Sequence, residues 1–405
     1  MVFITENCIS CYLRTRCKFA KYKLIIFLLM LRHLSIIAAI AISALIAPNH
    51  AQAQQETEKA KVYFTSDISP ESLVKIYHVL GKEATGKVAV KISTGESAQS
   101  NQLHPELIGQ LVQTVNGTLV ECNTAYSGNR SNTASHRRAI EQRGYNEIAS
   151  VDIMDEDGYI DIPVSDAKYL KFDRVGSHLA NYDFLINLAH FKGHAMGGFG
   201  GVLKNQSIGI ASPEGKTLIH TAGVYDNPRY VFQQPYGQDA FLESMAAAAQ
   251  AVHNYFNGNA IYINVMNNLS VDCDCDGHPA APQMKDIGIL ASLDPVALDK
   301  ACLDLVFNHE STTGDNSAPL VQRINSRHGA HTVEYAAEIG LGTLAYDLVD
   351  ITNTGGVEGV AVEGVHKYNV YDINGVKVLT NADALDSLTP GVYIVNGVKT
   401  LIESR

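Results

Sequence analysis

The chain has 405 residues, 46% of them hydrophobic and 18% charged, with 32 glycines and a formal net charge of −11. That length and apolar content exclude a mainly disordered or collagen-like chain and allow one large or two medium domains. The acidic balance argues against nucleic acid as a partner, since phosphate contacts need a basic surface.

The first 53 residues read as an N-terminal extension followed by a signal peptide. Met30, Arg32 and His33 precede an apolar run from Leu34 to Ala47; Pro48 breaks it, and Ala51-Gln52-Ala53 offers a small-residue cleavage pattern. The run is short for a membrane span, so the mature form is expected not to span a membrane and to be exported to the periplasm, cell surface or medium. Residues 1–29 carry Cys8, Cys11 and Cys17 among basic residues, and Met30 is the expected start. Removing 53 residues leaves a more acidic chain with four cysteines, too few for a disulfide-built scaffold.

From residue 54 to 351 strand and helix patterns alternate. Lys61–Thr65 is a predicted strand. Ser69 caps a helix with Pro70 in its first turn, running to Leu80. Strands follow at Val88–Ile92 and Thr118–Cys122, separated by a helix over His104–Val115. Phe184–Leu188 is a buried-strand run, Asp239–Phe256 an Ala-rich helix, Ala260–Val265 and Ile287–Ala291 strands, and Asp294–Phe307 a helix capped by Asp294. The expected class is α/β, a mostly parallel sheet covered by helices on both faces, plus a small C-terminal all-β module. Gly355-Gly356 and Gly359 mark a linker over 352–365. Residues 366–405 then alternate in short strands, with Asn374-Gly375 and Asn396-Gly397 as hairpin turns.

Two segments concentrate chemistry. His190-Phe191-Lys192-Gly193-His194 leads into a run with five glycines between positions 193 and 201, then Lys204-Asn205. It follows a buried strand, where open α/β sheets place ligands. Open backbone N–H groups with Lys192 and Lys204 would suit a phosphate or carboxylate. The glycine spacing is that of neither a dinucleotide fingerprint nor a P-loop. The glycines also argue against a helical zinc pair at His190 and His194.

The second segment is Asp272-Cys273-Asp274-Cys275-Asp276-Gly277-His278. Two thiols can ligate a divalent metal such as zinc or iron, form a close disulfide, or sit inert in an acidic loop. The three aspartates would raise the thiol pKa values. Lys91 and Glu121 lie at the ends of predicted strands and Glu96 just beyond one, and they join as candidates, with Tyr126, Arg130 and His136 downstream. His220 is as expected in a core as at a ligand, and Cys302 is expected in the core.

The ordered set of segments resembles the family known as domain of unknown function 362, often labelled uncharacterised iron–sulfur centre proteins. The resembling pieces are Val88–Ile92, Glu121–Arg130 with His136, His190–Asn205, Gly215-Lys216 with His220, Cys273-Asp274-Cys275, and Asp286–Asp299. The resemblance implies an α/β domain without an agreed reaction. Many members carry a ferredoxin-like cysteine insertion after the position of His220; residues 221–238 hold no cysteine here, so a built-in four-cysteine cluster is not expected. The tail, Tyr371–Val378 and Leu388–Val395, resembles the C-terminal sorting modules of type IX secretion cargo in Bacteroidota, which implies the secretion machinery as a partner.

The expected function is therefore that of an exported metal-binding or redox-related enzyme acting on a phosphate- or carboxylate-bearing small molecule. The expected metal ligands are His190, His194, Cys273 and Cys275. Lys91, Glu121, Lys192, Lys204 and Asn205 would hold the anion. The alternative is a non-catalytic protein that binds an anionic ligand.

Overall fold

The computed structural model describes residues 59–353, 368–372, 377–382, 387–395 and 398–402. The extension and signal peptide expected over 1–53, most of the linker and both Asn-Gly turns lie outside the described residues.

The strands in chain order are β1 (Ala60–Thr65), β2 (Val88–Lys91), β3 (Thr118–Glu121), β4 (Val151–Ile153), β5 (Tyr159–Ile162), β6 (Asp173–Gly176), β7 (Phe184–His190), β8 (Lys192–His194), β9 (Gly198–Gly200), β10 (Ala260–Met266), β11 (Gly288–Ser292) and β12 (Tyr346–Asp350). Eight of them form one sheet in the order β12-β1-β11-β10-β7-β2-β3-β4. Every neighbouring pair is parallel except the two that involve β11, which runs against β1 and β10. The mostly parallel sheet is as expected; the reversed β11 is not, because an apolar strand carries no mark of its direction.

The central strands are buried on both sides, which explains their near-continuous apolar runs. Alternate residues serve two cores. Ala89, Val120, Leu185 and Tyr262 pack on one face with the helices Gly237–Tyr255 and Pro295–Phe307. Val90, Leu119, Ile186 and Ile263 pack on the other with the helices Pro70–Val79 and Pro105–Thr114. Both expected caps form: the Ser69 side chain accepts from the Ser72 amide, and Asp294 accepts from Val296 and Ala297.

Described tail strands β13 (Tyr368–Asp372), β14 (Lys377–Ala382), β15 (Gly391–Val395) and β16 (Val398–Ile402) pair antiparallel in the order β14-β13-β15-β16. Among the described residues no helix is long and apolar enough to cross a membrane.

Four parallel neighbours, β10, β7, β2 and β3, end at Met266, His190, Lys91 and Glu121. The loops leaving these ends meet over one edge of the sheet. Both chemistry-bearing segments are therefore brought together, although more than 60 residues of chain lie between them.

Candidate functional site

A cavity of about 560 Å3 lies at these carboxyl ends. Its wall includes Lys91, Glu96, Glu121, Arg130, Lys192, His194, Lys204, Asn205, Lys216, His220, Cys273 and Cys275. All expected site residues except His190 line it.

One wall is a closed ion network. Arg130 lies 3.2 Å from Glu96 Oε2 and 3.3 Å from Glu121 Oε1. Glu121 also accepts from the Thr94 amide at 2.7 Å. Burial works against its charge, but Lys91 and Arg130 outweigh this and hold the carboxyl below its ordinary range. His136 has both ring nitrogens occupied, by Thr94 Oγ1 at 3.1 Å and Asn123 Oδ1 at 3.2 Å. Burial pushes its pKa down to about 3, against the pull of Glu121, so the ring is neutral at pH 7. Its 3.4 Å approach to Glu121 is then a polar contact and not an ion pair. Lys91 donates to the carbonyl of Ile92 and to Asn205 Oδ1, and burial lowers its pKa to about 8. Asn205 Nδ2 donates to the Lys91 carbonyl and to Asn187 Oδ1. Lys91, Glu121 and Asn205, expected to hold a ligand, thus spend their polar groups on one another, on Arg130 and Asn187, and on the backbone.

The Gly-rich segment departs from expectation. It folds as a hairpin, β8 against β9, followed by the helix Val202–Ser207. Its amides are already engaged. Met196 and Gly197 donate to His194 Nδ1 at 3.1 and 2.9 Å. Val202 and Leu203 donate to the buried carboxylate of Asp299, each at 3.0 Å. The glycines admit other parts of the protein, not a ligand. A Cβ on Gly193 would stand 2.3 Å from the Val271 carbonyl oxygen, and one on Gly201 would stand 2.3 Å from Asp299 Oδ1. Four amides of the segment are thus taken by His194 and Asp299.

His190 is a second correction. Its Nδ1 lies 2.8 Å from Asp274 Oδ1 and its Nε2 2.6 Å from the Asn267 carbonyl. Both partners are acceptors, so neither nitrogen is left for a metal. Asp274 also binds Lys192 at 2.8 Å. Burial alone would raise the Asp274 pKa, but Lys192 and His190 hold it well below the carboxylate range. Asp272 pairs with Arg323 at 3.1 Å. Two of the three aspartates that flank the cysteines are thus paired with cations.

Three groups on the other wall keep an unused polar function. Lys204 Nζ has no hydrogen-bond or ion-pair partner among the described residues. Burial, with the neighbouring Lys192 charge, pushes its pKa down to about 7. Gly200 lets the two lysine stems run side by side: a Cβ there would lie 3.5 Å from Lys192 Cε and 3.6 Å from Lys204 Cδ. His220 stacks on Phe241 at 4.7 Å and donates from Nδ1 to the Lys216 carbonyl at 2.7 Å, which leaves the Nε2 lone pair as an acceptor. Burial lowers its pKa to about 4, so it is neutral. His194 is also neutral, held well below its ordinary value first by burial and then by Lys204. Because its Nδ1 accepts, its proton sits on Nε2, a donor.

Cys273 and Cys275 are joined by a disulfide. A ring nitrogen of His194 and the two sulfurs lie within 4.8 Å of one another, a grouping with metal-ligand chemistry. A metal-bound histidine usually donates from its other ring nitrogen; His194 instead accepts there.

Sequence reasoning gave Lys216 no role beyond the family resemblance and missed Asp299 as the residue that fixes the helix of Lys204. A buried acid one helix away gives no periodic signal; only its place in the Asp294–Asp299 run pointed to it.

No curated protein matches the chain. Two solved structures show limited similarity. One is the lactate racemase apoprotein from Thermoanaerobacterium thermosaccharolyticum, 15% identical, TM-score 0.30, covering 51% of this chain and 50% of that one. The other is a protein from Thermotoga maritima, 14% identical, TM-score 0.35, covering 58% and 57%. The chain thus spans half the length of the first and 57% of the second. A family model, in contrast, matches residues 88–304. That stretch holds β2 to β11 and the whole cavity wall, and the chain belongs to the family of the domain of unknown function DUF362.

Proposed function

We propose that the chain is an enzyme acting on a small carbonyl compound that bears a carboxylate or phosphate, with Lys204 as the reacting amine. The observation that carries this reading is Lys204 Nζ: unpartnered among the described residues, in a cavity, beside the Lys192 cation. A lysine next to another cation in a desolvated site is an activated nucleophile, since a fraction of it is the free amine at neutral pH.

The neighbouring groups suit imine formation. The Lys204 nitrogen attacks the carbonyl carbon while His194 Nε2–H donates to the carbonyl oxygen. His220 Nε2 takes a proton from the amine, and loss of water from the carbinolamine leaves the imine. Lys192, paired with Asp274, and Lys216, whose Nζ donates to the Ala211 carbonyl, line the same cavity and add positive potential near the anionic end of the molecule.

The test is trapping. The full chain is incubated with a panel of 2-oxo acids and phosphorylated ketones, each with cyanoborohydride, and intact mass and peptide maps are measured. A stable adduct on Lys204 with at least one panel member is expected, absent in Lys204→Arg. Adducts spread over surface lysines, unchanged in Lys204→Arg, would sink the reading.

A second reading, a divalent metal site on the same wall, is favoured by the grouping of His194, Cys273 and Cys275 and needs the disulfide opened to two thiolates. Elemental analysis of protein purified without a metal-affinity tag distinguishes the two. We further propose that the protein is exported. The apolar run over 34–47 supports this, as does the strand pattern of the tail, read as a sorting module recognised by the secretion machinery; fractionation of the producing cells tests it.

A further inference from the structure

The disulfide between Cys273 and Cys275 spans two residues. A cross-link that closes so short a loop removes very little entropy from the unfolded chain, so it does little for stability. The loop is held by other means. The Glu96 amide donates to the Asp274 carbonyl at 2.8 Å, Ser97 Oγ to the Gly277 carbonyl at 2.6 Å, and Ser100 Oγ to the Asp276 carbonyl at 2.7 Å. Arg323 fixes the Val271 carbonyl and Asp272. The backbone around the two sulfurs is therefore pinned whether or not the bridge is closed.

The two sulfurs differ. Cys273 is buried, 5% exposed, and its Sγ accepts the Cys275 amide at 3.1 Å. Cys275 is half-buried in the cavity wall. The acidic residue between them is neutralised by Lys192 and His190, and His194 lies beside both sulfurs with its proton on Nε2.

We infer that Cys273 and Cys275 form a reversible dithiol/disulfide couple that opens into the cavity and exchanges with a small external dithiol. The incoming thiolate attacks Cys275 Sγ. The S–S bond breaks and its electron pair leaves on Cys273 Sγ, which the Cys275 amide and the nearby His194 donor stabilise. The reductant's second thiol then displaces Cys275 from the mixed disulfide. Two electrons and two protons reach the protein, and the reductant departs as a disulfide. The inference does not rest on the Lys204 chemistry, although both draw on the His194 donor.

The test uses the full chain, so peptide mapping separates Cys8, Cys11 and Cys17 from the pair. Excess dithiol without denaturant is expected to free Cys273 and Cys275 for alkylation while buried Cys122 and Cys302 stay unlabelled; reoxidation should restore the bridge with an unchanged circular dichroism spectrum. Cys273→Ser should accumulate a mixed disulfide on Cys275 with a small external disulfide. In Cys275→Ser the adduct on Cys273 should form at least about 10-fold more slowly. His194→Gln should slow opening about 10-fold. The inference is overturned if the bridge opens only in denaturant, if Cys273 forms the faster adduct, or if the isolated protein holds both cysteines as thiols on a stoichiometric metal.

Discussion

Lys91 and Lys204 line adjoining parts of one cavity, and they teach how partners decide what a buried lysine can do. Both are depressed by burial, Lys91 to about 8 and Lys204 to about 7. Lys91 has an anion, Glu121, acting for its charge, and its nitrogen donates to Ile92 and Asn205. Lys204 has a cation beside it and no partner for its nitrogen among the described residues. The Lys91 wall is a frame whose polar groups are used up; the Lys204 wall keeps one amine, one donor and one acceptor free. Desolvation alone is common to both and does not distinguish them.

The largest effect that can break this contrast is on the frame. Arg130→Ala leaves Glu96 buried without its cation and Glu121 with Lys91 alone, and should cost about 3–5 kcal/mol in urea unfolding, whereas Lys204→Met should leave stability within about 1 kcal/mol. Equal losses would erase the distinction between the walls. Asp299→Asn comes next. It turns a donor toward the Leu203 amide at the start of the Lys204 helix and should cost about 1–3 kcal/mol, with slower amine trapping than wild type.

A pH-resolved comparison isolates Asp173, buried in β6 at 1% exposure and pushed up to about 8 by burial. A raised carboxyl pKa lends stability that is lost as pH rises. The advantage of Asp173→Asn over wild type should therefore grow between about pH 4 and pH 8, by up to about 1.4 kcal/mol per unit, and level off above. A flat difference curve would show that the group ionises normally. The smallest effect sharpens the contrast directly. Lys192→Gln removes the cation beside Lys204 and should move the pH midpoint of trapping upward by about one unit; no movement would mean burial acts alone.

Much of the fold was legible because it rests on local pattern. The central strands are apolar along their whole length, and Ser69 and Asp294 sit where helix caps belong. The placement of the site was legible from sheet-end logic. What was not legible depends on pairing across the fold. His190 carries the same residue type as a zinc ligand, yet Asp274 and Asn267, 84 and 77 residues away, take both its nitrogens. The glycines between 193 and 201 read as room for a ligand, and the room is filled by Val271 and Asp299. Asn205 and Glu121 look like ligand-binding groups until their partners are known.

The most direct test of the account is the titration of Lys204 in the folded chain, measured by competitive labelling of amines with an acylating reagent from pH 5 to pH 11. Lys204 is expected to label with a midpoint near 7 and faster than any other lysine at neutral pH, while Lys91 stays unreactive. A Lys204 that titrates near the ordinary lysine value of about 10.4, or labels no faster than Lys91, would contradict it.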